Sequence, residues 1–130
     1  MLTKLIDALR RVAGRPELVT PAGVDATFVL RYHDLDVGTL ELHEGLWTFR
    51  YSDDFRRQSE LKPLVDFPDP ARTYERDVLW PFFLSRIPSP SQPEVQRAIA
   101  AEHLDVRNQV AMLRRFGERT IANPFILKAA

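Results

Sequence analysis

Three histidines and several close-set carboxylates are the side chains of this 130-residue chain whose types suit acid-base or metal chemistry. His33, His43 and His103 lie 10 and 60 residues apart, outside an HExxH or comparable ligand spacing, and they read as exposed or hydrogen-bonded histidines. The carboxylate pairs Asp53-Asp54 and Asp66/Asp69 fall in a turn-rich stretch, where neighbouring acids are ordinarily solvated rather than poised for proton transfer. No serine has a G-x-S-x-G setting, no glycine-rich run could cradle a phosphate, and there is no cysteine. Disulfides, thiolate metal sites and a cysteine nucleophile are thereby excluded. The chain is expected to be no enzyme, with no catalytic, cofactor-binding or metal-binding residues.

Side chains suited to recognition are more prominent. Arg56-Arg57 alternates with Asp53, Asp54 and Glu60, the pattern of a solvated mixed surface or of one that meets a partner's acidic patch. Large aromatics dominate interface hot spots, which makes Trp80 the preferred exposed anchor and Trp47 the other, with Phe83 beside Trp80 in the same apolar run. The competing reading places both tryptophans in the core. Residues 106–119 carry Arg107, Arg114, Arg115 and Arg119 against Glu118, an excess of three positive charges, and so raise nucleic-acid binding as a third class. Arg114-Arg115 also suits the negative end of a helix dipole, and the helix carrying it has no evident base-reading face.

Whole-chain composition narrows the classes. Lys plus Arg and Asp plus Glu each number 18, so a general polyanion binder, which would show a basic excess, is disfavoured. At this length and 45% hydrophobic residues the chain can fill one domain's core, and disorder throughout is not expected. No apolar run approaches the roughly 18 residues of a membrane helix, and Lys4, Asp7, Arg10 and Arg11 interrupt what would be a signal peptide's apolar region. No membrane partner is expected, and the default compartment is the cytoplasm.

The elements that must position these residues follow from periodicity. Leu2, Leu5, Ile6, Leu9 and Val12 predict an amphipathic helix over residues 1–14, closing the domain or docking on another chain; a connection over 15–25 follows. Ala26 to Tyr32 is rich in β-branched and aromatic residues, and Val37 to Leu42 and Leu46 to Tyr51 alternate, around the link His33-Asp34-Leu35-Asp36 and the turn Glu44-Gly45, predicting a three-stranded meander. Residues 52–73 read as mostly irregular, with a brief strand at Leu64 to Phe67. Pro81 opens a helix that Pro88 ends; Ser91 and Glu94 have capping-box spacing for the next, and Asp105 is placed to cap a last helix leaving at Gly117. The tail IANPFILK reads as an edge strand. The expected fold is α+β, a small antiparallel or mixed sheet packed with three to four helices, as one domain over residues 26–130.

Four pieces in this order carry a family resemblance: Val37, Gly38 and Leu40 of a VG-x-L turn into a strand; Phe49 and Tyr51 of an F-x-Y strand; Pro63, Leu64 and Pro68; and Phe82, Phe83, Ile87 and Pro88 of an FF-x-x-LLPEG-like segment. Together the chain resembles the amino-terminal subdomain of HipA-family serine/threonine kinases, toxins of bacterial toxin-antitoxin modules, over about residues 26–117. It departs at Ser89-Pro90, where the family has Glu-Gly, and at GERTIANPF after Phe116.

The sequence stops at Ala130, before a kinase domain, so the resemblance implies a free-standing subdomain without kinase activity. That arrangement is similar to the small antitoxin of three-component HipBST-type systems, which binds and inhibits a separate HipA-like kinase lacking its amino-terminal subdomain. The implied partners are such a kinase and, through a ternary complex, a HipB-like DNA-binding protein. The alternatives are a non-inhibitory structural subunit of a kinase complex or a nucleic-acid-binding module.

Overall fold

The computed structural model describes residues 18–130; the amphipathic helix expected over 1–14 lies outside the described residues. Strand β1 (Ala26–Tyr32), β2 (Leu35–His43) and β3 (Leu46–Tyr51) form the expected meander. The chain continues through helix α1 (Asp53–Arg57), strand β4 (Tyr74–Arg76), helices α2 (Pro81–Leu84), α3 (Pro93–Glu102) and α4 (Gln109–Phe116), and strand β5 (Ile126–Ala129). The five strands lie in the order β4-β3-β2-β1-β5 with every pairing antiparallel, which settles the sheet as antiparallel rather than mixed.

Register explains which face is buried. Ala26, Leu42 and Trp47 lie in one cross-strand row, Phe28, Leu40 and Phe49 in the next, and Leu30, Gly38 and Tyr51 in a third. All nine are buried, because alternate residues of a strand share a face and these rows all turn toward the helices. Threonines 27, 39 and 48, with Glu41 and Arg50, occupy the other, partly solvated face, the division expected of an antiparallel sheet covered on one side. Gly38 has no substitute in its row: a Cβ there would meet the Arg50 carbonyl at 2.5 Å and the Phe49 ring at 2.6 Å. The Glu44-Gly45 turn takes φ of 50° and 76°, the positive pair that matches strand twist in a two-residue hairpin.

An aromatic cluster fills the space between sheet and helices. Phe49 stacks on Phe67 at 4.2 Å, Tyr51 stacks on Phe55 at 4.3 Å, and Phe67 meets Trp80 edge-on at 4.9 Å. Burying such rings contributes about 1.5–3 kcal/mol per large side chain.

Several local expectations are corrected. Leu64 to Phe67 is a turn rather than a strand; its backbone is held instead by Tyr51, whose Oη accepts from Leu64 N–H (2.8 Å) and donates to the Phe67 carbonyl (2.6 Å). Within the stretch expected to be irregular, Ser52 caps α1 by accepting from Phe55 N–H at 3.0 Å. Helix α3 begins at Pro93 with no side-chain cap, so the Ser91 to Glu94 spacing makes no capping box; Ser91 pairs with the Ser89 hydroxyl. Asn108, not Asp105, caps α4, accepting from Ala111 N–H at 3.1 Å, and Asp105 instead closes a turn with Arg107 N–H. Among the described residues no helix is long and apolar enough to cross a membrane.

Candidate partner-binding surface

Of the five recognition candidates, three are core residues. Trp47 is fully buried, and its indole N–H donates to Thr20 Oγ1 at 3.0 Å; that hydroxyl also reaches Gln109 Oε1 at 3.1 Å. Trp80, 5% exposed, occupies the residue before α2, and Phe83 is enclosed by Phe49, Phe67 and Phe82. The expectation of an exposed tryptophan anchor is therefore corrected for this conformation. Trp80 completes the aromatic cluster through Phe67, and both indoles have their large apolar area removed from water.

Arg56 and Arg57 are exposed and are brought together on α1. Phe55 fixes the helix by burying against Tyr51, and Ser52 ties its start to β2 through Ser52 N–H donating to the Val37 carbonyl (2.9 Å). Arg56 pairs with Asp53 at 2.7 Å and Arg57 with Asp54 at 3.3 Å. Exposed pairs of this kind contribute little to stability, about 0.3–0.5 kcal/mol each. They present a patterned surface with almost no net field, suited to a shaped partner with matching charges rather than to long-range attraction.

A second set of features escaped the sequence reading. Arg86 is 3% exposed although charged. Its Nε–H donates to the Gly117 carbonyl at 2.6 Å, and its terminal nitrogens donate to the carbonyls of Glu118 (3.0 Å) and Phe125 and to Asn123 Oδ1 (3.3 Å). Burial pushes its pKa down to about 10, while these oxygens, all acceptors, favour the charged form. The clamp fixes the turn at residues 117–125, from which Ile121 projects fully into solvent. Val65 projects similarly, from the turn whose Asp66 carboxylate accepts from Phe82 N–H (3.1 Å) at the start of α2. The available signals were a lone arginine inside the apolar run LWPFFLSRIP and single apolar residues in turns bounded by proline or asparagine.

The remaining chemical candidates stay apart. His43 pairs with Asp25 at 3.0 Å in solvent, His33 turns the first hairpin at φ 52°, and His103 ends α3 at φ 53°. Asp69 accepts from Ala71 N–H within its own turn. Among the described residues no three His, Asp or Glu side chains converge as metal ligands.

With the geometry in place, comparison with protein families is decisive: the model of the HipA N-terminal domain matches residues 29–122. The chain belongs to the HipA N-terminal domain family. The match runs from β1 to the turn after α4 and contains all four segments that carry the sequence resemblance. It is a match to the non-catalytic N-terminal domain, not to the kinase catalytic domain, so the fold this chain carries is not the one that transfers phosphate. Within this HipA N-terminal domain Val37, Gly38 and Leu40 are buried in β2, and Phe82 and Phe83 lie inside α2, so the family segments are mostly core-building. A search among curated proteins returns no match.

Proposed function

We propose that this HipA N-terminal domain acts in trans, in the cytoplasm, as an antitoxin-like protein that binds a separate HipA-like serine/threonine kinase lacking the corresponding domain and restrains it. Membership in the family over residues 29–122 carries the reading. A domain whose relatives are named as one part of a larger protein keeps the surface suited to packing on the rest, and can complete it non-covalently. The surface assigned to this contact is that of Arg56 and Arg57 on α1. A HipB-like DNA-binding protein would join through the kinase.

Burial of Trp47 and Trp80 favours a second reading, a structural subunit that stabilises the kinase without inhibiting it, because neither indole is available to enter an active site. Copurification of the chain with such a kinase, followed by autophosphorylation of the complex, tests both. A complex with suppressed phosphorylation supports the antitoxin; a complex with full activity supports the structural subunit; no complex with an active kinase defeats both. Nucleic-acid binding ranks lower, since Arg115 is occupied by Glu102 at 2.7 Å.

A further inference from the structure

The described chain begins at a point that several hydrogen bonds fix. Val19 N–H donates to the Arg107 carbonyl at 2.7 Å, and the Val19 carbonyl accepts from Gln109 N–H at 3.2 Å. The next residue, Thr20, accepts the Trp47 indole N–H at 3.0 Å. Leu18, one position earlier, is thereby held beside Ile87, Pro88, Pro90, Val106 and Met112, around an opening of about 30 Å³ between the prolines that follow α2 and the first turn of α4.

This opening is apolar and stands apart from the main core. Met112 is 1% exposed and Val95, on α3, is 6% exposed, yet neither belongs to the cluster packed between sheet and helices. Ser89, the polar side chain of the lining among the described residues, pairs with the Ser91 hydroxyl at 2.8 Å. An ordered water needs about two to four polar partners, which these side chains do not offer, so an aliphatic group suits the space better.

We propose that this opening is the docking site of the chain's own amino-terminal segment, with the stripe Leu2, Leu5, Ile6, Leu9 and Val12 laid over Leu18, Ile87 and Val106 and an aliphatic side chain seated beside Met112. A helix as short as residues 1–14 is marginal in water by itself and gains its stability from packing an apolar face on a surface. Ala13 to Glu17 link the stripe to Leu18 and span at most about 17 Å when extended, so the stripe is delivered to this opening. A tether that short sets an effective concentration on the order of mM, which favours the chain's own segment over a second copy or a free partner. Lys4, Asp7, Arg10 and Arg11 stay in water on the other faces. The stripe completes a second small core instead of reaching for another chain, and the proposal does not rest on the kinase assignment.

The test uses the full chain, whose lack of cysteine lets Thr3→Cys carry a single nitroxide outside the apolar stripe. The amide signals of Ile87, Ser89, Val106 and Met112 should be lost in the spin-labelled chain and return when the nitroxide is reduced. Isotope-labelled chain without a nitroxide, mixed with spin-labelled chain, should keep those signals. Leu5→Asp with Leu9→Asp should restore them in the spin-labelled chain while the signals of the sheet stay in place, and Lys4→Gln with Arg11→Gln on the polar side should leave them lost. Signals retained at these four positions, loss that appears only in the mixed sample as docking on a second copy would give, or loss that survives the two aspartates would each overturn the proposal.

Discussion

Arg86 donates to the Gly117 carbonyl across 2.6 Å, joining the end of α2 to the end of α4 through a buried cation with no carboxylate partner. The carbonyls of Gly117 and Phe125 depend on this one side chain, whereas that of Glu118 also accepts from Leu127 N–H at 2.9 Å.

Arg86→Met should leave the Gly117 and Phe125 carbonyls without their donor and cost about 2–5 kcal/mol in urea unfolding, since removing one partner strands the others. Arg86→Lys should recover less than half, because an ammonium cannot reproduce the guanidinium fork. A lysine variant within about 0.5 kcal/mol of the parent would refute the clamp.

Tyr51 gives a pH prediction. Burial raises its pKa to about 12, partly opposed by the hydrogen bond from Leu64 N–H. The folded state therefore holds the phenol proton where the unfolded chain, with a pKa near 10, releases it. Its contribution is complete below pH 10 and is lost as pH rises toward 12, by about 2 kcal/mol. Tyr51→Phe should lower stability at pH 7 by about 1–3 kcal/mol, through the lost bond to Phe67 and the stranded Leu64 amide, and should flatten this alkaline slope relative to the parent. Parallel slopes for the two proteins in denaturation at pH 9 to 12 would contradict it.

Gly38→Ala tests the close approach of β2 to β3. The added Cβ collides with backbone at the Arg50 carbonyl, which a rotamer change cannot relieve, so a loss of about 1–3 kcal/mol is expected. An alanine variant as stable as the parent would show that the strands part readily.

The meander was legible because β1 is rich in β-branched and aromatic residues, Leu46 to Tyr51 alternates and the second turn carries Glu44-Gly45, and the edge strand because Ile126 to Ala129 follows a proline. The first two family segments were legible for the same local reason, being strand residues of the core, and the other two because prolines bound their buried Leu64 and Phe83. Tertiary choices were not. Nothing local distinguishes Trp80 in an aromatic cluster from Trp80 as an exposed anchor, since its fate is set by Phe67, 13 positions earlier. Asp105 lost the α4 cap to Asn108 because Val19, across the domain, draws residues 107–109 into a bridge: its N–H donates to the Arg107 carbonyl and its carbonyl accepts from Gln109 N–H. Strand β4, three residues in a charged stretch, exists only through its pairing with β3.

The α1 surface separates binding from folding. Arg56→Glu with Arg57→Glu should change stability by less than about 1 kcal/mol, because both pairs are exposed. The same change should weaken a kinase complex by about tenfold or more. Trp80→Ala should instead destabilise the domain by about 3–5 kcal/mol, losing binding only through unfolding. Melting curves and pull-downs run on the same samples distinguish these outcomes.

The most direct measurement is autophosphorylation of a HipA-like kinase that lacks its N-terminal domain, assayed alone and with this chain at increasing molar ratio. Phosphorylation should fall in proportion to complex formed, and the Arg56→Glu, Arg57→Glu double variant should restore it. Undiminished phosphorylation within a stable complex, or no complex with a kinase shown to be active, would contradict the assignment of an inhibitory partner.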